Sequence, residues 1–239
     1  MTAPLFLAPS VEGDVLTLDG DEGRHAATVR RIQRGERIDV GDGRGRVAEC
    51  VVDAVASGSL ALRVVGRRDE AAPEPRLVVV QALAKGDRAE DAVEAMTEVG
   101  VDAFVPWAAA RCVVRWEGAR GEKARGRWAA TARAAAKQSR RAWVPDVAAL
   151  QDTAGVAARL RAAALAVVLH EDAARPLATA DVPSNGEVVV VVGPEGGMTD
   201  DELEAFGGTP YRLGRSVLRT STAGVAAAAL LLGKTARWR

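Results

Sequence analysis

The spacing of apolar residues along the chain changes near residue 70, and this change predicts two structural regions. Before it, short apolar runs are separated by glycine-rich turns such as Gly41-Asp42-Gly43, a pattern typical of antiparallel strands. The predicted strands here are residues 5–7, 15–18, 37–40, 46–55 and 59–65, with one helix at residues 25–34. Together these strands predict a small β-barrel.

The second region alternates continuous apolar runs with helical segments, which is typical of a parallel α/β sheet. Its predicted strands are residues 77–83, 103–105, 165–169 and 188–192, and its predicted helices are residues 87–99, 121–141, 156–164 and 200–206. Residues 70–75 contain two prolines, which cannot continue a sheet, and form the predicted linker. We therefore predict one domain over residues 1–70 and an α/β domain over residues 76–239.

The five valines at residues 188–192 predict a strand buried on both faces, because a half-exposed strand would alternate apolar and polar residues. The strand runs into the glycine-rich residues 193–197, and ligands of open α/β sheets bind at the carboxyl ends of such strands. Thr199 and Glu202 predict a capping box, and the acids of that helical turn disfavour a phosphate ligand. A tight turn without any ligand is the alternative for an isolated Gly-Gly pair.

A second glycine-ended segment strengthens the case for a pocket. Residues 211–214 predict a short strand that ends at Gly214, and residues 223–232 predict an Ala-rich helix. Thr220, Ser221 and Thr222 are candidate N-caps for that helix. Two glycine-ended strands, each followed by a capped helix, are predicted to lie side by side in a parallel sheet and to frame one pocket.

These two segments resemble the paired signature of the SPOUT RNA methyltransferases. Within that group the chain is most similar to the ribosomal RNA small subunit methyltransferase E family, which makes 3-methyluridine in 16S rRNA with S-adenosylmethionine. The resemblance spans nearly the whole chain. It includes His25 with Val29-Arg30-Arg31 and Gly35-Glu36, Lys85, residues 97–101 with Pro106, and Gln138-Ser139 with Arg140 or Arg141 and Val144-Pro145. One departure is Ser221, where the family usually carries glutamate.

The resemblance implies a PUA-like RNA-binding domain at the amino terminus and a SPOUT-type parallel sheet with a deep trefoil knot at the carboxyl terminus. It also implies a homodimer and a cofactor site for S-adenosylmethionine built from three loops. Carried over position by position, the cofactor residues are Leu169, His170, Glu171, Gly193, Pro194, Glu195, Gly196, Gly197, Leu213, Gly214, Ser216, Val217, Leu218, Thr220 and Thr222.

Methylation of uracil N3 requires loss of a proton and stabilisation of an anion on the ring oxygens, a task suited to arginine and to backbone N–H groups. Arg219, beside the third cofactor loop, is the first catalytic candidate. Gln138 and Arg140 are the second, since the family places their motif near the site across the dimer interface.

Charge is spread unevenly, although the formal net charge of the 239 residues is zero. Residues 111–141 contain ten Arg or Lys but only Glu117 and Glu122 as acids, which favours a polyanion such as 16S rRNA. An ordinary solvated helix face is the alternative. A narrow face of small residues, Trp128 with Ala132, Ala135, Ala136 and Ser139, is predicted to pack. The predicted RNA contacts are Arg24, Arg30, Arg31, Arg111, Arg133, Lys137 and Arg141.

Other function classes are disfavoured. Cys50 and Cys112 lack the spacing of a disulfide framework or zinc site, so we expect reduced, buried thiols and no metal. Residues 39–45 resemble a Rossmann glycine motif, but a strand-like segment follows, so we predict a hairpin loop. No apolar run approaches ~20 residues and no leader pattern is present, which predicts a cytoplasmic protein without a membrane partner.

The sequence leaves two alternative functions open. The first is a SPOUT methyltransferase that acts on a different RNA, because the cofactor motifs are shared more widely than the amino-terminal ones. The replacement of glutamate by Ser221 also allows a catalytically weak RNA-binding protein that assists ribosome assembly.

Overall fold

The computed structural model describes residues 3–86, 88–208 and 210–238, and it divides into two compact units. One comprises the residues up to Ala72 together with Ala136–Val144, and the other comprises Pro73–Ala135 together with the residues from Pro145 onwards. Within these described ranges, every helix is too short or too polar to cross a bilayer.

The first unit is built on a five-stranded sheet in the order β1-β3-β4-β5-β2. β1 pairs in parallel with β3, and the remaining pairs are antiparallel. The core behind it includes Ile38, Leu60 and Leu62, which are fully buried. All five predicted strands are confirmed, and the glycines after β3 form a hairpin loop as predicted. The strands are β1 (Leu5–Leu7), β2 (Val15–Leu18), β3 (Arg37–Gly41), β4 (Arg46–Ala56) and β5 (Ser59–Asp69).

The helix of the first unit begins earlier than the sequence predicted. It consists of α1 (Gly20–Arg24) and a π-helical turn at His25–Val29, so the prediction of residues 25–34 was wrong at both ends. A Cβ at Gly23 would lie 2.5 Å from the carbonyl oxygens of Leu18 and Gly58. Glycine therefore lets this helix run close to the strands. Arg31 follows with a left-handed φ of 54°.

The second unit is built on a five-stranded parallel sheet in the order β8-β7-β6-β11-β9. Its main strands are confirmed within a few residues of their predicted ends. The strands are β6 (Arg76–Ala82), β7 (Ala103–Trp107), β8 (Asp146–Val147), β9 (Leu165–Val168), β10 (Arg175–Pro176), β11 (Glu187–Val192) and β12 (Tyr211–Arg212). The helices are α2 (Arg88–Val99), α3 (Gly118–Gln138), α4 (Thr153–Ala162), α5 (Asp200–Phe206) and α6 (Thr220–Leu232).

The five valines of β11 are buried on both faces, as predicted. Each valine is at most 2% exposed. Val188, Val190 and Val192 belong to a core shared with α2, α3 and α6, whereas Val189 and Val191 belong to a core shared with α4 and α5. The predicted packing face of α3 is confirmed for Trp128 and its three alanines, which are buried. Ser139, the fifth predicted member, follows the end of α3 and is half-buried.

The prediction that β11 and β12 lie side by side was wrong. β11 is flanked by β6 and β9, so neither of its edges is free for a further partner. β12 pairs instead with β10 in a separate two-stranded parallel sheet and makes one parallel bridge to Leu169. The second glycine segment therefore approaches the first through the loops and not through strand pairing.

The N-caps of α5 and α6, the helices that follow the two glycine segments, differ. At α5 the predicted capping box is present: the Thr199 hydroxyl accepts from the Glu202 N–H at 3.2 Å, and Glu202 accepts from the Thr199 N–H at 2.8 Å. The predicted hydroxyl caps of α6 were wrong, because Arg219 is the N-cap and makes no side-chain cap bond. The trefoil knot stays a prediction.

Candidate active site

A cavity of about 490 Å³ lies at the carboxyl ends of β9, β11 and β12. Its walls are the last residues of β11 and β12, the segments that directly follow the three strands, and residues from the first turns of α2 and α6. The volume lies in the range of sites that bind small molecules. The parallel direction of the strands brings their following loops to one end of the fold.

Most of the predicted cofactor residues line this cavity. Those that do so are Leu169, His170, Glu171, Gly193, Pro194, Glu195, Gly197, Leu213, Gly214, Ser216, Val217, Leu218 and Thr220, and the catalytic candidate Arg219 joins them. Two predicted cofactor residues lie elsewhere. A Cβ at Gly196 would point at Arg111, and the Thr222 hydroxyl donates to the Arg219 carbonyl at 3.2 Å.

Sequence reasoning missed five residues that line the cavity: Arg88, Val192, Met198, Arg212 and Ala223. Val192 and Met198 directly flank the glycine turn, so their positions in the sequence carried a signal. Arg88 carried none, because it begins a helix that comes much earlier in the chain.

The glycine turn after β11 has structural reasons for its glycines. Gly197 has a left-handed φ of 72°, and its N–H donates to the Pro194 carbonyl at 2.9 Å. A Cβ at Gly193 would approach the Met198 side chain to 3.2 Å. The turn is therefore tight, and it presents mostly backbone to the cavity.

The three arginines that line the cavity differ in their contacts. Arg212 is held within the protein, because its guanidinium donates to the carbonyls of Ala173 and Ala174 at 3.1 and 3.0 Å. Arg88 and Arg219 are exposed, and their side chains form no hydrogen bond or ion pair with any residue that the structure describes. These two guanidinium groups therefore remain available to an anionic or carbonyl-bearing ligand.

Two acids and a histidine complete the polar lining. Glu195 accepts from the Thr220 hydroxyl at 3.5 Å, which links the glycine turn to the start of α6. His170 Nδ1 accepts from the Asp172 N–H at 3.2 Å. This ring nitrogen therefore stabilises the loop that contains both residues. Glu171 also lines the cavity. Carboxylates in this position favour a ligand that carries positive charge.

The other predicted site residues lie outside the cavity lining. Gln138 is the last residue of α3 and Arg140 follows it; both belong to the first unit and are exposed. Among the predicted RNA contacts, Arg24 pairs with Asp21, and Lys137 lies 2.7 Å from Glu22 in a half-buried ion pair.

Arg30 and Arg133 are exposed, and Arg141 is half-buried. Arg133 and Arg141 each have an interaction with another group of the protein. Both cysteines are free thiols and buried. Across the described ranges, no three His, Cys, Asp or Glu side chains are grouped as a metal site requires.

Comparison with known proteins defines the class of the chain. Residues 72–232 match the RNA methyltransferase domain family, and residues 18–65 match the RNA methyltransferase PUA domain family. The chain is therefore an RNA methyltransferase with a PUA-like domain at its amino terminus.

The similarity to relatives extends over most or all of the chain. The ribosomal RNA small subunit methyltransferase E of Mycobacterium tuberculosis is 46% identical, over 100% of this chain and 94% of the relative. Its counterpart from Bacillus subtilis is 30% identical, over 89% and 87%. A crystal structure of the Neisseria gonorrhoeae protein bound to S-adenosylmethionine has a TM-score of 0.87 and 26% identity, over 97% and 98%. The chain belongs to the ribosomal RNA small subunit methyltransferase E family, so the resemblance found in the motifs is confirmed.

Proposed function

We propose that the chain transfers the methyl group of S-adenosylmethionine to N3 of a uridine in 16S rRNA. The observation that carries this proposal is the cavity formed by the loops after β9, β11 and β12, in a chain of this family. The relative from Neisseria gonorrhoeae binds S-adenosylmethionine. We assign RNA binding to residues 1–70 and catalysis to residues 76–239, in the cytoplasm where ribosomes are made.

The lining of the cavity fits this cofactor. Backbone groups of the three loops offer donors and acceptors, Val192, Met198 and Ala223 offer apolar walls, and Glu171 and Glu195 complement a cation. When bound, S-adenosylmethionine supplies a methyl group that is already activated on a positively charged sulfur.

The remaining chemistry falls to the side chains of the chain itself. Uracil N3 must lose its proton, and the negative charge then spreads over the ring oxygens. Arg219 is the N-cap of α6, and its guanidinium is exposed and bonded to none of the described residues. It can therefore donate to such an oxygen, and the helix dipole adds to its effect. Arg88 offers a second guanidinium at the same cavity. We assign Gln138 and Arg140 of a second subunit to the same site.

The position of Ser221 favours an active enzyme over a catalytically weak assembly factor. Ser221 lies in the first turn of α6 but does not line the cavity. The lining described above therefore does not depend on the side chain of Ser221.

The proposed reaction can be tested with purified protein and small ribosomal subunits from a strain that lacks this enzyme. N3 methylation removes the N–H that uracil uses in base pairing, so reverse transcription should stop at one uridine of 16S rRNA after incubation with S-adenosylmethionine. Mass spectrometry of the fragment should show one added methyl group. A modified tRNA or large-subunit rRNA would support a different substrate. Binding to 16S rRNA without modification would support an assembly factor.

The shared site of the proposed homodimer predicts complementation between inactive variants. Ala223→Leu places a larger side chain at the cavity wall, whereas Arg140→Ala removes the group assigned to the partner's site. A mixture of the two variants should regain activity, because one site of each heterodimer would be intact. A mixture as inactive as either parent would contradict the shared site.

A further inference from the structure

The loop after β7 holds the glycine turn after β11 in place. Arg111 in this loop donates from Nη1 to the carbonyl oxygen of Gly196 at 3.0 Å and to that of Met198 at 3.3 Å. β7 and β11 are not neighbours, since β6 lies between them. The Arg111 side chain therefore bridges two loops across the end of the central strand.

A buried carboxylate ties the same two loops a second time. Glu202 is 4% exposed. Its Oε2 accepts from the Thr199 N–H at 2.8 Å, and its Oε1 accepts from the Ala110 N–H at 2.7 Å. Both carboxylate oxygens thus accept a hydrogen bond, one from Thr199, which follows the glycine turn, and one from Ala110, which precedes Arg111.

Gly196 shows which part of the turn faces this loop. A Cβ at Gly196 would lie 3.2 Å from Cβ of Arg111, and Gly196 does not line the cavity although Glu195 and Gly197 do. The family resemblance implies that Gly196 is a cofactor residue, so a side chain at this position would be expected to enter the ligand space. The structure instead indicates that such a side chain would meet Arg111 first.

We propose that Arg111 is a positioning residue for the cofactor loop. Its guanidinium fixes the carbonyls of Gly196 and Met198, and the backbone between them is thereby held in the conformation that lines the cavity. A glycine-rich turn loses much conformational freedom on binding a ligand. Arg111 reduces this loss, because it orders the turn before the ligand arrives.

This proposal rests on the proposed function, and it differs from the RNA contact that the sequence predicted for Arg111. The two roles have different consequences. A positioning residue affects S-adenosylmethionine binding without any RNA present, whereas a phosphate contact affects the salt dependence of RNA binding.

The test compares Arg111→Ala and Arg111→Lys with the control Arg115→Ala, which removes one charge from an exposed position of the same loop. Calorimetry without RNA should show that Arg111→Ala weakens S-adenosylmethionine binding about tenfold, equivalent to about 1.4 kcal/mol. Arg111→Lys should bind with intermediate affinity, because a lysine ammonium lacks the fixed fork of arginine. Arg115→Ala should bind like the wild type.

Two further measurements separate positioning from a general structural role. In the ligand-free protein, hydrogen exchange at the amides of Gly196 and Gly197 should be faster in Arg111→Ala than in Arg115→Ala. The KM for S-adenosylmethionine should rise in Arg111→Ala while the KM for 16S rRNA stays constant.

Unchanged exchange and unchanged S-adenosylmethionine affinity in Arg111→Ala would overturn the proposal, even if the melting temperature fell. A lower salt slope of RNA binding with unchanged cofactor affinity would restore Arg111 as an RNA contact. If the wild-type chain itself does not bind S-adenosylmethionine, the proposed function fails, and the exchange measurement still decides whether Arg111 orders the turn.

Discussion

Arg237 forms a bidentate ion pair with Asp102, with Nη1 2.7 Å from Oδ2 and Nη2 3.0 Å from Oδ1. The side chains are 16% and 6% exposed. The same guanidinium donates to the carbonyls of Pro75 and Gly100, and Asp102 also accepts from the Leu77 N–H. The pair therefore fastens the segment after α6 to the amino-terminal side of the sheet, while the first turn of α6 lines the cavity.

Arg237→Ala is expected to lower the free energy of unfolding by about 3 kcal/mol, because it leaves a buried carboxylate without its charged partner. The free energy of unfolding of Arg237→Lys should lie between those of the wild type and Arg237→Ala, since lysine keeps the charge but not the paired geometry. Chemical denaturation measures both changes. Arg161→Ala, at an exposed position of α4, is the control, and equal stability of the two alanine variants would contradict this assignment.

Ala223→Leu is expected to weaken S-adenosylmethionine binding by about tenfold or more, as judged from the cost of overpacking a filled site. Ala223 is 9% exposed and lines the cavity, so the added carbons compete with the ligand for space. Ala226→Leu on the same helix lies outside the cavity lining and should bind normally. Calorimetry measures the affinity of both variants for S-adenosylmethionine. Equal affinities would indicate that the cofactor binds outside this cavity.

Features that depend on neighbouring residues could be predicted from the sequence. The strand of five valines is fixed by its unbroken apolar run, and the capping box of Thr199 and Glu202 is fixed by a spacing of three residues. The hairpin after β3 followed from the strand-like segment behind its glycines. In each case the local pattern and the tertiary structure favour the same conformation.

Features that depend on distant partners could not be predicted. β12 cannot pair with β11, because β6 and β9 already occupy both edges of β11. The bonds of Arg111 to Gly196 and Met198 join residues far apart in the chain, so composition marked Arg111 only as one basic residue among many. The motifs located the cavity loops, but not Arg88 on α2.

Arg120→Glu combined with Lys123→Glu should weaken RNA binding and reduce its salt slope by about two, since each lost phosphate contact lowers the slope by about one. Both residues are exposed on α3, and neither side chain bonds to another residue within the described ranges. They are better probes than Lys137, which is paired with Glu22. Arg161→Glu on α4 reverses one charge elsewhere on the protein and shows what a charge reversal alone contributes to the slope. An unchanged slope in the double variant would indicate a solvated helix face.

The raised pKa of the buried Cys50 thiol predicts a loss of stability at alkaline pH. Burial, with a smaller contribution from Asp39, raises the pKa of this thiol from 9.0 to about 11. The folded state therefore favours the protonated thiol, and this stabilisation is complete below about pH 9 and is lost as the pH rises through about 11. Between these values the free energy of unfolding should fall by about 2 kcal/mol more in the wild type than in Cys50→Ala. Parallel curves for the two proteins would contradict the assignment.

Arg140 occupies the position after α3 where helices usually place glycine. Its φ is 56°, its N–H donates to the Lys137 carbonyl at 3.1 Å, and the Arg141 N–H donates to the Ala136 carbonyl at 2.8 Å. These two bonds form a Schellman motif. A left-handed conformation is unfavourable for arginine, and strained residues of this kind concentrate at functional sites.

Arg140→Gly is therefore expected to separate stability from activity. The left-handed strain of about 1–2 kcal/mol outweighs the added freedom that glycine gives the unfolded chain, about 0.5–1 kcal/mol, so the variant should be at least as stable as the wild type. Methyl transfer should nevertheless be lost, because the guanidinium assigned to the site is gone. Arg31→Gly is the matched control, since Arg31 is also left-handed with a φ of 54°: it should be equally stable and should keep its kcat on saturating RNA. Full activity of Arg140→Gly would remove Arg140 from the catalytic site, and a clear loss of stability would show that the left-handed conformation carries no strain.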